Sequence, residues 1–67
     1  MTPDQLTDAT AYLFGVNRDD LFGGSRVARI AEARQVLAWA LRQSNWSLES
    51  IGAYLRRDHT TIIHALK

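Results

Sequence analysis

Two helix-start signals follow each other closely in the last third of the chain, and they restrict the fold more than any other feature. Ser47 and Asp58 each carry a short side-chain oxygen that can accept hydrogen bonds from the free N–H groups of a first helical turn. Apolar residues follow both at helical spacing: Leu48, Ile51 and Leu55 after the first, and Ile62, Ile63 and Leu66 after the second. Two short helices joined by a tight turn are typical of a helix-turn-helix, so the chain is predicted to be all-α.

The upstream sequence predicts three more helices. Thr2, Pro3 and Asp4 provide an N-cap, a proline at the first helical position and an acidic first turn, and Gly15 suits a left-handed C-cap. The predicted helices are 3–14, 18–22, 28–43, 48–55 and 59–67. We expect them to form one small helical bundle, a single domain over residues 1–67.

The predicted core uses one apolar face of each helix. In the first helix this stripe consists of Leu6, Ala9, Leu13 and Phe14. In the long helix it consists of Ile30, Ala33, Leu37, Ala40 and Leu41. Trp39 and Trp46 are expected in the core as well, because large aromatic side chains dominate burial in small domains.

Composition favours a folded domain of modest stability. The chain has 67 residues, of which 46% are hydrophobic. A domain of this size buries only about 60% of the surface that its unfolded chain exposes. There are no cysteines, so neither disulfides nor a thiolate metal site can reinforce the core. Since no apolar run could cross a bilayer and no signal-peptide pattern is present, we expect a cytoplasmic protein.

The net charge of +1 hides an uneven distribution. Residues 1–24 carry one arginine against four aspartates, whereas residues 25–67 carry seven basic residues against three acidic ones. A basic C-terminal portion suits a surface that docks on a polyanion. Taken alone, the charge pattern fits solvated surface residues equally well.

The residues after the second start signal can read base edges. Recognition helices usually contact bases from their first turn, which here contains Asp58, His59, Thr60 and Thr61. A threonine methyl can touch the methyl of thymine, an imidazole can donate to a purine acceptor, and a carboxylate can accept from a cytosine amine. Asp58 can act as a plain helix cap, as a base contact, or as both.

Phosphates on duplex DNA attract basic side chains, whose binding releases counterions. The predicted phosphate contacts are Arg42, Arg56, Arg57 and Lys67, together with Ser47, whose helix has free N–H groups at its start. Alternatively, each arginine is solvated or pairs within the chain with Glu32, Glu49 or Asp58.

A family resemblance enters with these residues. The run SLESIGAYLRRDHTTIIHALK resembles the signature of the C-terminal DNA-binding domain of the DnaA family, whose members initiate chromosomal replication in bacteria. Arg56 of this chain stands where that signature usually has a glycine. The segment 25–42 is similar to the basic loop and long helix that precede that signature. The resemblance implies a Trp-repressor-like helical fold, duplex DNA as the partner, DnaA-box-like sites, and a link to replication initiation or its regulation.

The resemblance also implies roles for individual residues. Asp58, His59, Thr60 and Thr61 would contact bases. Arg34 and Gln35 match an Arg-Gln pair in the family's long helix, where the arginine reaches guanine or phosphate. Arg26 or Arg29 would supply the arginine that the basic loop places in the minor groove, where negative potential concentrates.

Other functions are less well matched by the sequence. No glycine-rich phosphate loop, activated nucleophile or paired carboxylates are evident, so we expect no enzyme, no cofactor and no small-molecule substrate. His59 and His64 are spaced wrongly for a metal pair on one helical face, so we expect no metal. An alternative is a protein-interaction module, with replication or regulatory proteins as partners, that has lost DNA readout. Single-stranded nucleic acid is a third option, although no aromatic platform with interleaved basic residues supports it.

Overall fold

The computed structural model describes residues 2–23, 27–57 and 62–63. Four helices are complete within that part of the chain: α1 (Pro3–Phe14), α2 (Arg18–Phe22), α3 (Ala28–Gln43) and α4 (Leu48–Leu55). Ile62 and Ile63 are also helical, and the remainder of the predicted helix 59–67 lies outside the described residues. No strand occurs in the described residues, so the predicted all-α class is confirmed. None of the described helices is long and apolar enough to cross a bilayer.

Local capping sets both ends of α1. The Thr2 hydroxyl oxygen accepts from the Gln5 N–H at 3.1 Å, and the Gln5 side chain accepts from the Thr2 N–H at 2.9 Å, which completes a capping box. Gly15 ends the helix with φ 65° and ψ 35°, a left-handed conformation that glycine adopts without steric cost. The caps predicted for this helix are therefore confirmed.

The buried face of α1 differs from the predicted stripe. Leu6 and Phe14 pack against the core, but Ala9 is exposed and Leu13 is 77% exposed, so the prediction was wrong for these two residues. Thr7 and Thr10 are buried instead. Their hydroxyls donate at 2.8 Å to the carbonyls four residues earlier. Because the backbone satisfies the hydroxyl groups, the methyl groups can face the core, and the buried face is rotated away from the most apolar stripe.

The core forms around α3, which packs against all three other helices. Ala33, Leu37, Ala38 and Leu41 line its buried side, as expected for residues that recur at helical spacing. The other helices contribute buried residues to the same cluster, among them Leu21, Ile51, Leu55 and Ile62. Since Ile62 is only 2% exposed, the chain beyond α4 returns to this core.

The two tryptophans have different environments. Trp46 is half-buried and packs edge-to-face on Tyr54, with ring centroids 5.5 Å apart and planes inclined at 77°. Trp39 is 57% exposed, so its predicted place in the core was wrong. Position 39 lies roughly 200° around α3 from Leu37, on the side that faces away from the buried cluster.

Candidate nucleic-acid interface

The N-terminus of α4 is capped and lies at the surface. The Ser47 hydroxyl oxygen accepts from the Ser50 N–H at 3.1 Å, and the same hydroxyl donates to the Ser50 side chain at 2.9 Å. Ser47 and the next polar residues, Glu49 and Ser50, are exposed. The first turn of α4 therefore presents backbone N–H groups at the surface, where the positive end of the helix dipole favours an anion.

Arg42 lies beside this helix start. Its Nη1 donates to the carbonyl oxygen of Trp46, the residue that precedes the Ser47 cap, at 2.7 Å. The structure thus brings together two of the predicted phosphate contacts, one guanidinium group and one helix N-terminus. Gln35 is exposed and lies two turns before Arg42 on the same side of α3.

A left-handed residue follows α4. Arg56 has φ 58° and ψ 42°, and its N–H donates to the carbonyl of Ala53 at 3.3 Å. The next N–H, of Arg57, donates to the carbonyl of Gly52 at 2.7 Å. This hydrogen-bonded turn satisfies carbonyls at the end of α4. For a residue with a Cβ atom the left-handed conformation costs about 1–2 kcal/mol.

Arg57 turns back onto the fold. Its Nη2 donates to the carbonyl oxygen of Gly23, and its Nη1 donates to the carbonyl oxygen of Arg56 at 3.2 Å. The side chain is half-buried and bridges the turn after α4 to the end of α2. Arg57 therefore has a structural role in addition to the predicted contact with phosphate.

Arg34 meets the same carbonyl from α3. Its Nη2 lies 3.1 Å from the Gly23 oxygen and 3.3 Å from the Asp20 oxygen, and its Nε donates to the Leu21 oxygen at 3.0 Å. Burial lowers the pKa of Arg34, and the nearby positive charge of Arg57 lowers it further. The two guanidinium groups lie close together because both bind carbonyls at the end of α2.

These carbonyl contacts were missed by the sequence analysis. A helix leaves its last carbonyls without intrahelical partners, and α2 ends at a glycine that does not take a left-handed conformation. The unsatisfied end of a short helix was a signal that a donor must come from elsewhere in the chain. The sequence did not indicate which arginine would supply it.

Arg29 occupies a different part of α3. It is exposed near the start of the helix and lies about 120° around the axis from Gln35. A cleft of about 370 Å³ separates this part of α3 from the link between α1 and α2, and Arg29, Asn17 and Asp20 contribute polar groups to its lining. Arg29 is therefore not grouped with Gln35 and Arg42.

Ion pairing neutralises part of the acidic N-terminal region. Arg18 pairs with Asp4 and, at 2.7 Å, with Asp8. The hydrogen bonds that Arg18 donates to the carboxylates of Asp8 and Asp4 raise the pKa of Arg18. Neither Glu32 nor Glu49 forms an ion pair within the described part of the chain.

The remaining predicted site residues lie outside the described residues. They are Arg26 in the predicted basic loop, Asp58, His59, Thr60 and Thr61 in the predicted recognition turn, and Lys67. Their roles stay predictions.

Comparison with known proteins gives one consistent result. The family described as bacterial dnaA protein helix-turn-helix matches residues 3–67. The chromosomal replication initiator protein DnaA of Synechococcus sp. is 40% identical over 67 residues, a match that covers 97% of this chain and 14% of the relative. The proteins of the same name from Clavibacter sepedonicus and Leifsonia xyli subsp. xyli are each 39% identical over 69 residues, covering 100% of this chain and 14% and 15% of the relatives.

The chain thus spans about one seventh of the length of these relatives. The family match covers all four described helices and continues through the segment that contains the predicted recognition turn. The chain therefore belongs to the bacterial DnaA helix-turn-helix family.

Proposed function

We propose that this chain binds double-stranded DNA in a sequence-specific manner, at sites that resemble DnaA boxes, as part of replication initiation or its regulation. Membership of the family carries this proposal. The capped surface start of α4, with Arg42 beside it, supports the proposal because N–H groups at a helix start and a nearby guanidinium group can hold a phosphate.

Phosphate binding would fix the position of the domain on the duplex. The N–H groups after Ser47 would hold one phosphate, and Arg42 would hold the same or a neighbouring one. Arg56 is exposed at the turn and Lys67 is close in sequence to the recognition segment, so both would add contacts that release counterions. Arg57 retains donors beyond those bound to Gly23 and Arg56, since a guanidinium group carries five N–H bonds.

Base readout would come from two places. Asp58, His59, Thr60 and Thr61 would enter the major groove with the recognition helix. Gln35 on α3 would donate to and accept from a neighbouring adenine. Either Arg26 or Arg29 would enter the adjacent minor groove.

Arg34 would act from behind this surface. Its Nε and Nη2 are bound to carbonyls of α2, which leaves Nη1 for a guanine or a phosphate oxygen. Burial lowers the pKa of Arg34, and repulsion from the neighbouring guanidinium group of Arg57 lowers it further. An incoming phosphate would reduce the repulsion, so the Arg34 and Arg57 pair favours a polyanionic partner.

Fluorescence anisotropy with a DnaA-box duplex and a scrambled duplex of equal length tests the proposal. We expect tighter binding to the box at near-physiological salt. Thr61→Ala should weaken binding to the box by about 1–3 kcal/mol and leave the scrambled duplex unaffected. Equal affinity of the wild-type protein for both duplexes would remove sequence specificity from the proposal.

One observation favours a second candidate, a module that binds replication or regulatory proteins. Tyr12 and Leu13 are adjacent on α1 and are 86% and 77% exposed, and exposed apolar groups are common where proteins associate. This candidate predicts that neither duplex binds in the anisotropy experiment.

A further inference from the structure

The outward side of α3 carries an apolar pair. Trp39 is 57% exposed and Val36 is 41% exposed, and a spacing of three residues makes them neighbours on the helix surface. Single exposed apolar residues are ordinary in soluble proteins. This pair differs because polar side chains that can bind DNA lie next to it on the same side of α3.

Trp39 lies between two side chains that are suited to DNA. Gln35 is one turn before it and Arg42 is one turn after it, and both are exposed. Arg42 Nη1 donates to the Trp46 carbonyl, so this side chain lies near the start of α4. Glu32 is the acidic residue on this side of α3, two turns before Trp39, so the charge becomes more positive toward the C-terminus of the helix.

We propose that Trp39 is a specificity-determining residue that contacts thymine in duplex DNA. The indole, with Val36 beside it, packs against thymine C5-methyl groups in the major groove next to the base that Gln35 reaches. This inference rests on the proposed DNA-binding function. The methyl group of thymine is the apolar feature of base edges in that groove, and apolar side chains recognise it.

The chemistry of the flanking residues selects this partner. A glutamine pairs with adenine in the major groove, and an arginine binds phosphate or guanine. An apolar side chain between them completes a surface that distinguishes an A·T pair from a G·C pair. The contact also removes from water an indole that is otherwise exposed.

Replacing thymine by deoxyuridine isolates the contact, because it removes only the C5-methyl group. Affinities of the wild-type protein and Trp39→Ala are measured for the DnaA-box duplex and for the same duplex with deoxyuridine in place of thymine. We expect Trp39→Ala to bind the thymine duplex about tenfold more weakly and to match the wild-type protein on the deoxyuridine duplex. Trp39→Phe, which keeps an aromatic ring, should recover part of the loss.

Tyr12→Ala is the matched control, since it removes an exposed aromatic side chain from α1. It should leave both affinities unchanged. An equal loss for Trp39→Ala on the two duplexes, or no loss on either, would overturn the inference. If the wild-type protein still prefers the box over the scrambled duplex in that case, the proposed function stands and only the role of Trp39 fails. A wild-type protein that binds no duplex contradicts both.

Fluorescence provides a second measurement that does not depend on the alanine variant. Trp46→Phe leaves Trp39 as the only tryptophan, and circular dichroism verifies that this variant keeps its helices. Acrylamide should quench Trp39 strongly in the free protein and several-fold less in the complex with the thymine duplex. Unchanged quenching at saturating duplex would contradict the contact.

Discussion

Arg56 has an unfavourable backbone conformation and lies in the turn directly after α4. Its φ of 58° is left-handed, and every residue except glycine pays for the contact between its Cβ atom and the backbone. Asn45 also has a positive φ, of 69°, but asparagine tolerates that region better. Comparing the two residues therefore tests how much the left-handed conformation of Arg56 lowers the stability of the fold.

Arg56→Gly should raise the free energy of unfolding by about 0.5–1 kcal/mol. Relief of the left-handed strain exceeds the entropy that glycine adds to the unfolded chain. Urea unfolding in the absence of DNA measures the change, with Asn45→Gly as the control that should change less. Equal gains in the two variants, or a loss in Arg56→Gly, would show that this turn is not strained.

Arg34 should stabilise the free protein. Arg34→Ala removes the donor to three carbonyls, and we expect it to lower the free energy of unfolding by about 1–2 kcal/mol. Arg42→Ala removes one exposed hydrogen bond and should cost less. If urea unfolding shows equal effects, Arg34 does not anchor the end of α2.

At the level of the helices, the sequence predicted the ends of α1 and the start of α4, and it predicted the buried face of α3 better than that of α1. Thr2, Gly15 and Ser47 cap their helices through contacts within a few residues, which a sequence reveals. The face that a helix buries depends on the helices packed against it. The predicted burial of Leu13 and Trp39 was therefore wrong. Among the residues predicted to contact DNA, Gln35, Arg42 and Ser47 are exposed.

The carbonyl contacts of Arg34 and Arg57 could not be predicted, because they join residues that are far apart in sequence.

A hydrogen bond between two hydroxyl groups links α1 to α4. Thr7 is fully buried, and its hydroxyl lies 2.9 Å from the hydroxyl of Tyr54. Thr7→Val keeps the shape but leaves the tyrosine without this partner, so we expect a loss of about 1 kcal/mol in the free energy of unfolding. Thr10→Val removes only a bond to its own helix and should cost less. Thermal unfolding of both variants measures the difference, and equal midpoints would contradict a link between α1 and α4.

For the whole molecule, the described ion pairs lie at one end of the sequence. Asp4 and Asp8 bind Arg18, whereas the described arginines of α3 and of the turn after α4 form no ion pair with Glu32 or Glu49. Within the described residues, these arginines are therefore not neutralised by the two glutamates, and their charge is available to a partner. This separation is compatible with the proposed binding of DNA by a chain whose net charge is only +1.

The salt dependence of DNA binding should show whether the charge of Arg42 is used to bind phosphate. Arg42→Ala should weaken binding to every duplex similarly and reduce the slope of log K against log salt by about 0.9, the contribution of one phosphate contact. Gln35→Ala should weaken binding to the box alone and leave the slope unchanged. If Arg42→Ala leaves the slope unchanged, Arg42 does not contact phosphate.

An NMR titration of the full chain with a DnaA-box duplex identifies the residues that bind DNA, because chemical-shift changes locate the duplex on the folded protein. We predict that the largest shifts occur at the start of α4 around Ser47, on α3 at Gln35 and Arg42, and in residues 58–61. The exposed face of α1 around Tyr12 should not shift. Shifts confined to α1, or none at saturating duplex, would contradict the account.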